Sequence, residues 1–214
     1  MRPFRYFVSC GLLIVLLAST VSLSLASADS PLPVMASAVE ENLHAKSAVL
    51  IDMGTKQVLL SKNPDERLPI ASVTKLMTML LALEAIEAGR ISLDEMVIAS
   101  PHACSYGGSQ IYLEPGEQFT VKEMLMAISI KSANDAAVAL AEHVAGSESA
   151  FVAAMNQRAQ ELNMQNTHFI NSCGLDSVGV TGKPNDQGYS TARDVALMSV
   201  AVLKYQEMLK PWLT

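Results

Sequence analysis

The stretch from Pro69 to Leu83, PIASVTKLMTMLLAL, decides how the rest of the chain is read. Pro69 punctuates the end of a loop. Beyond Ala71, Leu76, Met79, Leu80 and Leu83 recur at three- and four-residue spacing, which predicts a core helix. Ser72 falls at or just before its first turn, where backbone N–H groups lack intrahelical partners and the helix dipole favours negative charge. Lys75 lies three residues on, so its amine can fold back over the same face towards the hydroxyl. Held among apolar neighbours, such a lysine loses part of its preference for the ammonium form, and the pair makes a workable nucleophile and base. The same spacing also arises where a serine merely caps a helix and the lysine is solvated.

The N-terminus reads as a segment outside the fold. Arg2 and Arg5 begin it, Val8 to Leu25 is apolar, and Ala26-Ser27-Ala28 has the small-x-small cleavage pattern. We read residues 1–28 as a secretory signal; the alternative is a retained anchor, the apolar run being near the minimum that spans a bilayer. Residues 29–214 then form one domain large enough for a real core. Removing Arg2 and Arg5 while every Asp and Glu stays takes the formal charge from −6 to −8, which argues against nucleic acid as a partner. The scattered His44, His102, His143 and His168 have no metal-ligand spacing, so neither a metal nor another cofactor is expected. Cys104 and Cys173 could pair in an oxidising compartment or remain buried thiols.

Along the chain, Ala48 to Leu60 predicts two short strands joined around Met53-Gly54-Thr55-Lys56. The Ser72 helix should run to about Ala88 and stop at Gly89. Ser92 to Glu95 fits either a capping box or a turn leading to a strand at Val97-Ile98. The Gly- and Ser-rich run from His102 to Thr120 reads as turns, and Thr120-Val-Lys-Glu123 as a capping box opening an apolar helix that ends near Lys131. A helix ending at Gly146 follows, then an amphipathic helix from Glu148 to Leu162, a long loop from Asn163 to Tyr189, and a last helix capped by Ser190 or Thr191.

Ser132 and Asn134 fall at the junction of two apolar helices, where a loop can aim side chains into a cleft. The hydroxyl could relay a proton between Lys75 and a leaving amine, and the amide could hold a substrate backbone through a donor and an acceptor. The competing reading is that they simply end one helix and cap the next.

ASVTK at 71–75, GGSQIYLEPGE at 107–117, KSANDAA at 131–137, NSCGLD at 171–176 and YSTARDVALM at 189–198 together resemble the serine D-alanyl-D-alanine carboxypeptidases, peptidase family S11, among the low-molecular-weight penicillin-binding proteins. The resemblance implies an α/β (α+β) penicillin-recognising serine hydrolase fold of the β-lactamase/transpeptidase-like type, an antiparallel sheet plus a helical lobe with the cleft between them. It implies that Ser72 attacks the penultimate D-alanine carbonyl of a peptidoglycan stem peptide ending in D-Ala-D-Ala, and that Lys75 accepts its proton. Ser132 would help protonate the departing D-alanine, Asn134 would position the peptide, and β-lactams would acylate the same serine. The Ser72 N–H would supply half of an oxyanion hole. The site would face the cell wall, outside the cytoplasmic membrane.

The family's third motif, Lys-Thr-Gly on a strand, lies downstream of the YSTARDVALM helix and is not reached. Thr181-Gly182-Lys183-Pro184 has the wrong order and place, and Pro184 cannot donate to a ladder. Residues 29–214 are therefore expected to be a partial catalytic domain with its C-terminal strands missing, either a piece of a longer protein or a degenerate member that borrows strands. The apolar inner faces of the hairpin and last helix would then be exposed. Membrane attachment would have to come through an uncleaved signal or a C-terminal tail. Two alternatives to the enzyme stand: a module that binds wall peptides or penicillin without turnover, and a serine β-lactamase of the same fold.

Overall fold

Lys75–Glu87 forms the central helix α1, entered through a 3₁₀ turn at Ala71–Thr74. Its sequence suggested one apolar face. In the computed structural model, which describes residues 43–175 and 188–213, nearly the whole circumference is buried: Met77, Thr78, Met79, Leu80, Ala82, Leu83 and Ala85 are all inside. A helix apolar all round belongs in the middle of a core rather than on its surface. It ends at the predicted place, with Ala88 as cap and Gly89 at φ +66°, in the left-handed region.

The predicted hairpin is present. Strands β1 (Ala48–Ile51) and β2 (Val58–Lys62) pair antiparallel, with Leu50 opposite Leu60, and Asp52 closes the turn by accepting from the Thr55 amide and hydroxyl, each at 2.7 Å. A second two-stranded sheet joins β3 (Met96–Ile98) to β4 (Gln118–Thr120), so the turn-plus-strand alternative at Ser92–Glu95 is the one adopted. Between them, the run read as turns contains a short helix α2 (Pro101–Cys104), capped by the Ser100 hydroxyl on the Ala103 N–H. Pro at its first position needs no amide donor there.

Helix α3 (Val121–Met126) opens with the predicted capping box: Thr120 Oγ1 accepts from the Glu123 N–H at 3.2 Å while the Glu123 carboxylate accepts from the Thr120 N–H at 2.7 Å. It widens into a π turn at Ala127–Lys131. Helices α4 (Asn134–Ala145) and α5 (Glu148–Glu161) follow, α4 buried from Asn134 to Ala141 and packed against α1, α3 and α5. The Arg158 guanidinium on α5 reaches Glu84 on α1 at 2.7 Å, tying these two helices together across the half-buried rim.

Helix α6 (Ala192–Leu203), capped by Thr191, packs on α1 and β1. The chain continues into an unpredicted helix α7 (Gln206–Leu213), whose Leu209 is buried; Pro211 lies past its first turn and removes the donor that would have met the Glu207 carbonyl. Paired backbone hydrogen bonds between Leu68 and Ser190, 2.9 and 3.0 Å, hold the chain leading into the Ser72 turn. Leu50, Met53 and Leu203 are exposed along an apolar groove between hairpin and α6, as the sequence suggested for these two faces. The signal segment 1–28 and the Thr181–Pro184 run lie outside the described residues.

Phe151 is fully buried and seats the first turns of α5 in the core. Replacing it with alanine should destabilise the fold by about 3–5 kcal/mol, read as a lower midpoint in urea unfolding.

Candidate active site

Ser72 sits in the 3₁₀ turn with its side chain exposed, one helical turn from Lys75, which is only 3% exposed. The Lys75 Nζ lies 3.0 Å from Ser72 Oγ, 2.7 Å from Asn134 Oδ1 and 2.8 Å from the carbonyl oxygen of Cys173. Burial pushes its amine below the ordinary 10.5, with Cys173 opposing the shift. A neutral amine has two N–H donors and one lone pair. If Asn134 and Cys173 take the two donors, the lone pair is left for the Ser72 hydroxyl proton. This arrangement fits a base beside a nucleophile.

Asn134 is delivered by an irregular piece of backbone. The π turn ends with Ser132 in the left-handed conformation, φ 57° and ψ 38°, and Ala133 then acts as N-cap of α4 without a side-chain cap bond. Ser132 thus ends the preceding turn as its left-handed C-cap, as the simpler reading had it, but neither Ser132 nor Asn134 caps the next helix. A non-glycine residue at positive φ costs about 1–2 kcal/mol and is found where the surroundings enforce it. Asn134 donates through Nδ2 to the Gly107 carbonyl at 2.7 Å, so the amide expected to hold substrate already bridges Lys75 and the 107–110 loop. Ser132 is half-exposed on the same junction, and its hydroxyl forms no hydrogen bond among the described residues.

Two glycines permit close approach at this site. A Cβ on Gly108, at φ +82°, would lie 2.9 Å from Asn134 Nδ2. One on Gly174, at φ +85°, would lie 1.9 Å from the Ala71 carbonyl oxygen, an impossible contact, and 2.8 Å from Thr74 Oγ1. Gly174 therefore lets the 171–175 loop press against the turn that carries Ser72. That loop is folded around buried Asn171, whose Oδ1 accepts from the amides of Cys173 and Gly174 at 3.1 and 2.6 Å and whose Nδ2 donates to the Leu175 carbonyl at 2.6 Å. Asp135, also buried, pins the opposite loop by accepting from the amides of Ile111 and Leu113 at 3.1–3.2 Å.

Sequence reasoning missed these supports because four of them, the Cys173 and Gly107 carbonyls and the missing side chains of Gly108 and Gly174, carry no side-chain signature. Cys104 and Cys173 are both free thiols; burial pushes the Cys173 thiol up to about 11, so it is protonated. The pairing considered from sequence is not formed. Among the described residues no group of His, Cys, Asp and Glu could hold a metal ion, and no helix is long and apolar enough to cross a membrane.

The model of the D-alanyl-D-alanine carboxypeptidase family, peptidase S11, matches residues 34–211, and the chain belongs to that family. It is 52% identical over 166 residues to the D-alanyl-D-alanine carboxypeptidase DacF of Bacillus subtilis, covering 78% of this chain and 41% of that protein. The solved D-alanyl-D-alanine carboxypeptidase DacD of Francisella tularensis superposes with TM-score 0.69 at 37% identity, over 76% of this chain and 37% of that one. Penicillin-binding protein D2 of Listeria monocytogenes, solved in an ampicillin-bound form, superposes with TM-score 0.67 at 31% identity, over 79% and 66%. The chain thus spans less than half the length of the curated relative, and its fold is the transpeptidase/β-lactamase-like α/β fold of the penicillin-binding proteins.

Gly174→Ala should cost about 1–3 kcal/mol, because either the Ser72 turn or the 171–175 loop must move to admit the methyl group; urea unfolding measures it. Lys75 gives a second expectation. Its folded-state value lies below the unfolded 10.5, so between the two the unfolded chain binds more protons and stability rises with pH. Subtracting the Lys75→Met profile from the wild-type profile should isolate that rise.

Proposed function

We propose that this chain carries the nucleophile and base of a secreted serine D-alanyl-D-alanine carboxypeptidase, with residues 1–28 as its secretory signal and 29–214 as part of its catalytic domain. The single observation that supports it best is the buried Lys75 amine 3.0 Å from the exposed Ser72 hydroxyl. The relatives' names supply the substrate class: a peptidoglycan stem peptide ending in D-Ala-D-Ala.

In this reading Lys75, whose preference for the charged form burial weakens, accepts the Ser72 proton in its neutral form as Oγ attacks the penultimate D-alanine carbonyl. Its two N–H groups donate to Asn134 Oδ1 and the Cys173 carbonyl, which aims the lone pair at Ser72. The Ser72 N–H, in the first turn of the helix, faces the developing oxyanion. Ser132 passes a proton to the departing D-alanine, and the second hydrogen on Asn134 Nδ2 contacts the peptide. Water then releases the acyl group from Ser72. A β-lactam enters the same sequence and forms the same ester.

The purified protein should be labelled on Ser72 by a fluorescent penicillin, and Ser72→Ala should abolish the label. A well-folded wild type that stays unlabelled overturns the proposal. Lys75→Met should slow acylation by about 10²–10⁴-fold. Because an ammonium cannot accept the proton, the wild-type acylation rate should fall as pH drops through the lowered Lys75 pKa. Release of D-alanine from a pentapeptide separates the carboxypeptidase from a module that only binds, and rapid penicillin hydrolysis would instead indicate a β-lactamase.

A further inference from the structure

Lys75 has two partners besides Ser72, and both are held in place from one carboxylate that touches neither. Glu148, the first residue of α5, has a side chain only 10% exposed and accepts four hydrogen bonds. Its Oε1 takes the Ser172 N–H at 3.0 Å and the Ser172 hydroxyl at 2.7 Å; its Oε2 takes the Tyr106 hydroxyl at 2.6 Å and His102 Nε2 at 3.0 Å. Ser172 immediately precedes Cys173, whose carbonyl accepts from Lys75, and Tyr106 immediately precedes Gly107, whose carbonyl fixes Asn134. Thr78 Oγ1, one turn along α1 from Lys75, clamps the Ser172 carbonyl at 2.5 Å from the other side. The arm through Ser172 reaches the Cys173 carbonyl across one peptide unit; the arm through Tyr106 is longer, running along the phenol side chain, one peptide unit and the Asn134 amide.

We infer that Glu148 is a positioning residue for the base: it sets the two acceptors that orient the Lys75 amine, and it does so through Ser172 and Tyr106. The inference rests on the role proposed above for Lys75. Burial pushes the Glu148 carboxyl up, but Tyr106, Ser172 and His102 outweigh it and hold the group below its ordinary value, so it is present as the carboxylate that four donors require. Tyr106, buried and bonded to that carboxylate, is held well above the ordinary tyrosine value and stays a donor. Removing a buried acceptor leaves the Ser172 amide unsatisfied, and the 171–175 loop must then shift. A shift of about 1 Å at a catalytic group costs up to about a hundredfold in rate.

The experiment is the rate constant and the final amplitude of Ser72 acylation by a fluorescent penicillin, compared among wild type, Glu148→Ala, Glu148→Gln, Ser172→Ala and Tyr106→Phe. Glu148→Ala should acylate about tenfold or more slowly while reaching full amplitude. Glu148→Gln should stay within about threefold of wild type, because an amide oxygen can still accept from Ser172 and Tyr106 can turn its hydroxyl to accept. Ser172→Ala and Tyr106→Phe should each slow the reaction, and neither should slow it further once Glu148 is alanine. A purely structural role would lower the amplitude, through the folded fraction, and leave the rate constant alone. That result, or wild-type kinetics in Glu148→Ala, Ser172→Ala and Tyr106→Phe alike, overturns the inference.

Reductive methylation of Lys75, followed by peptide mass spectrometry, reads the same coupling without activity. Its rate should rise in Glu148→Ala and not in Glu148→Gln. Should wild type resist penicillin while Lys75 is still released by Glu148→Ala, the function proposed above falls and the positioning role stands. Equal methylation in every variant overturns the positioning role.

Discussion

The structure depends on keeping one amine out of water. Lysine is a costly residue to bury, because the ammonium loses its hydration, and at Lys75 the fold meets that cost with three polar atoms at 2.7–3.0 Å. Three acceptors would suit an ammonium and its three donors; a hydroxyl that can reverse its role among them suits the neutral amine equally well. The arrangement thus accommodates either protonation state without rebuilding. For the proton acceptor proposed here, that property matters more than the strength of any one bond.

Surrounding features follow from that requirement. The all-round burial of α1 supplies the apolar walls, and the π turn with the left-handed Ser132 turns Asn134 inward. Gly108 and Gly174 let two loops close on either side of the serine turn. Buried Asn171 and Asp135, and the largely covered Glu148 carboxylate, then hold those loops from behind, each accepting from amide donors that the loops could not otherwise satisfy. What fastens these loops is their hydrogen bonding to polar side chains behind them rather than shortness of the loops.

Much of this was legible beforehand where the signal is local. The hairpin around Gly54, the Thr120–Glu123 capping box, the Gly89 and Gly146 helix ends and the Thr191 cap are all local chemistry, and all are formed. The Ser72–Lys75 contact was legible too, since one helical turn fixes it. The extent of burial around α1 was not, because a period in the sequence reports one favoured face and says nothing of neighbours on the others. Helix α7 was hidden by Pro211, and α2 by its surroundings of Gly and Ser. The Cys173 carbonyl and the Glu148 carboxylate were invisible for a different reason: their relevance exists only once segments far apart in the chain have met.

That separation has a consequence for how the chain acquires reactivity. Ser72 and Lys75 come together as soon as one turn of helix forms, but Asn134 is 59 residues away and the Cys173 carbonyl 98. Long-range closures are the slow ones in folding, since chain entropy must be lost before any contact rewards it. Until both arrive, the lysine keeps its hydration and the setting proposed to activate Ser72 is incomplete. On the proposed function, chemical competence would therefore be a property of the finished tertiary structure, and a nascent or half-folded copy would carry the sequence motif without an activated nucleophile.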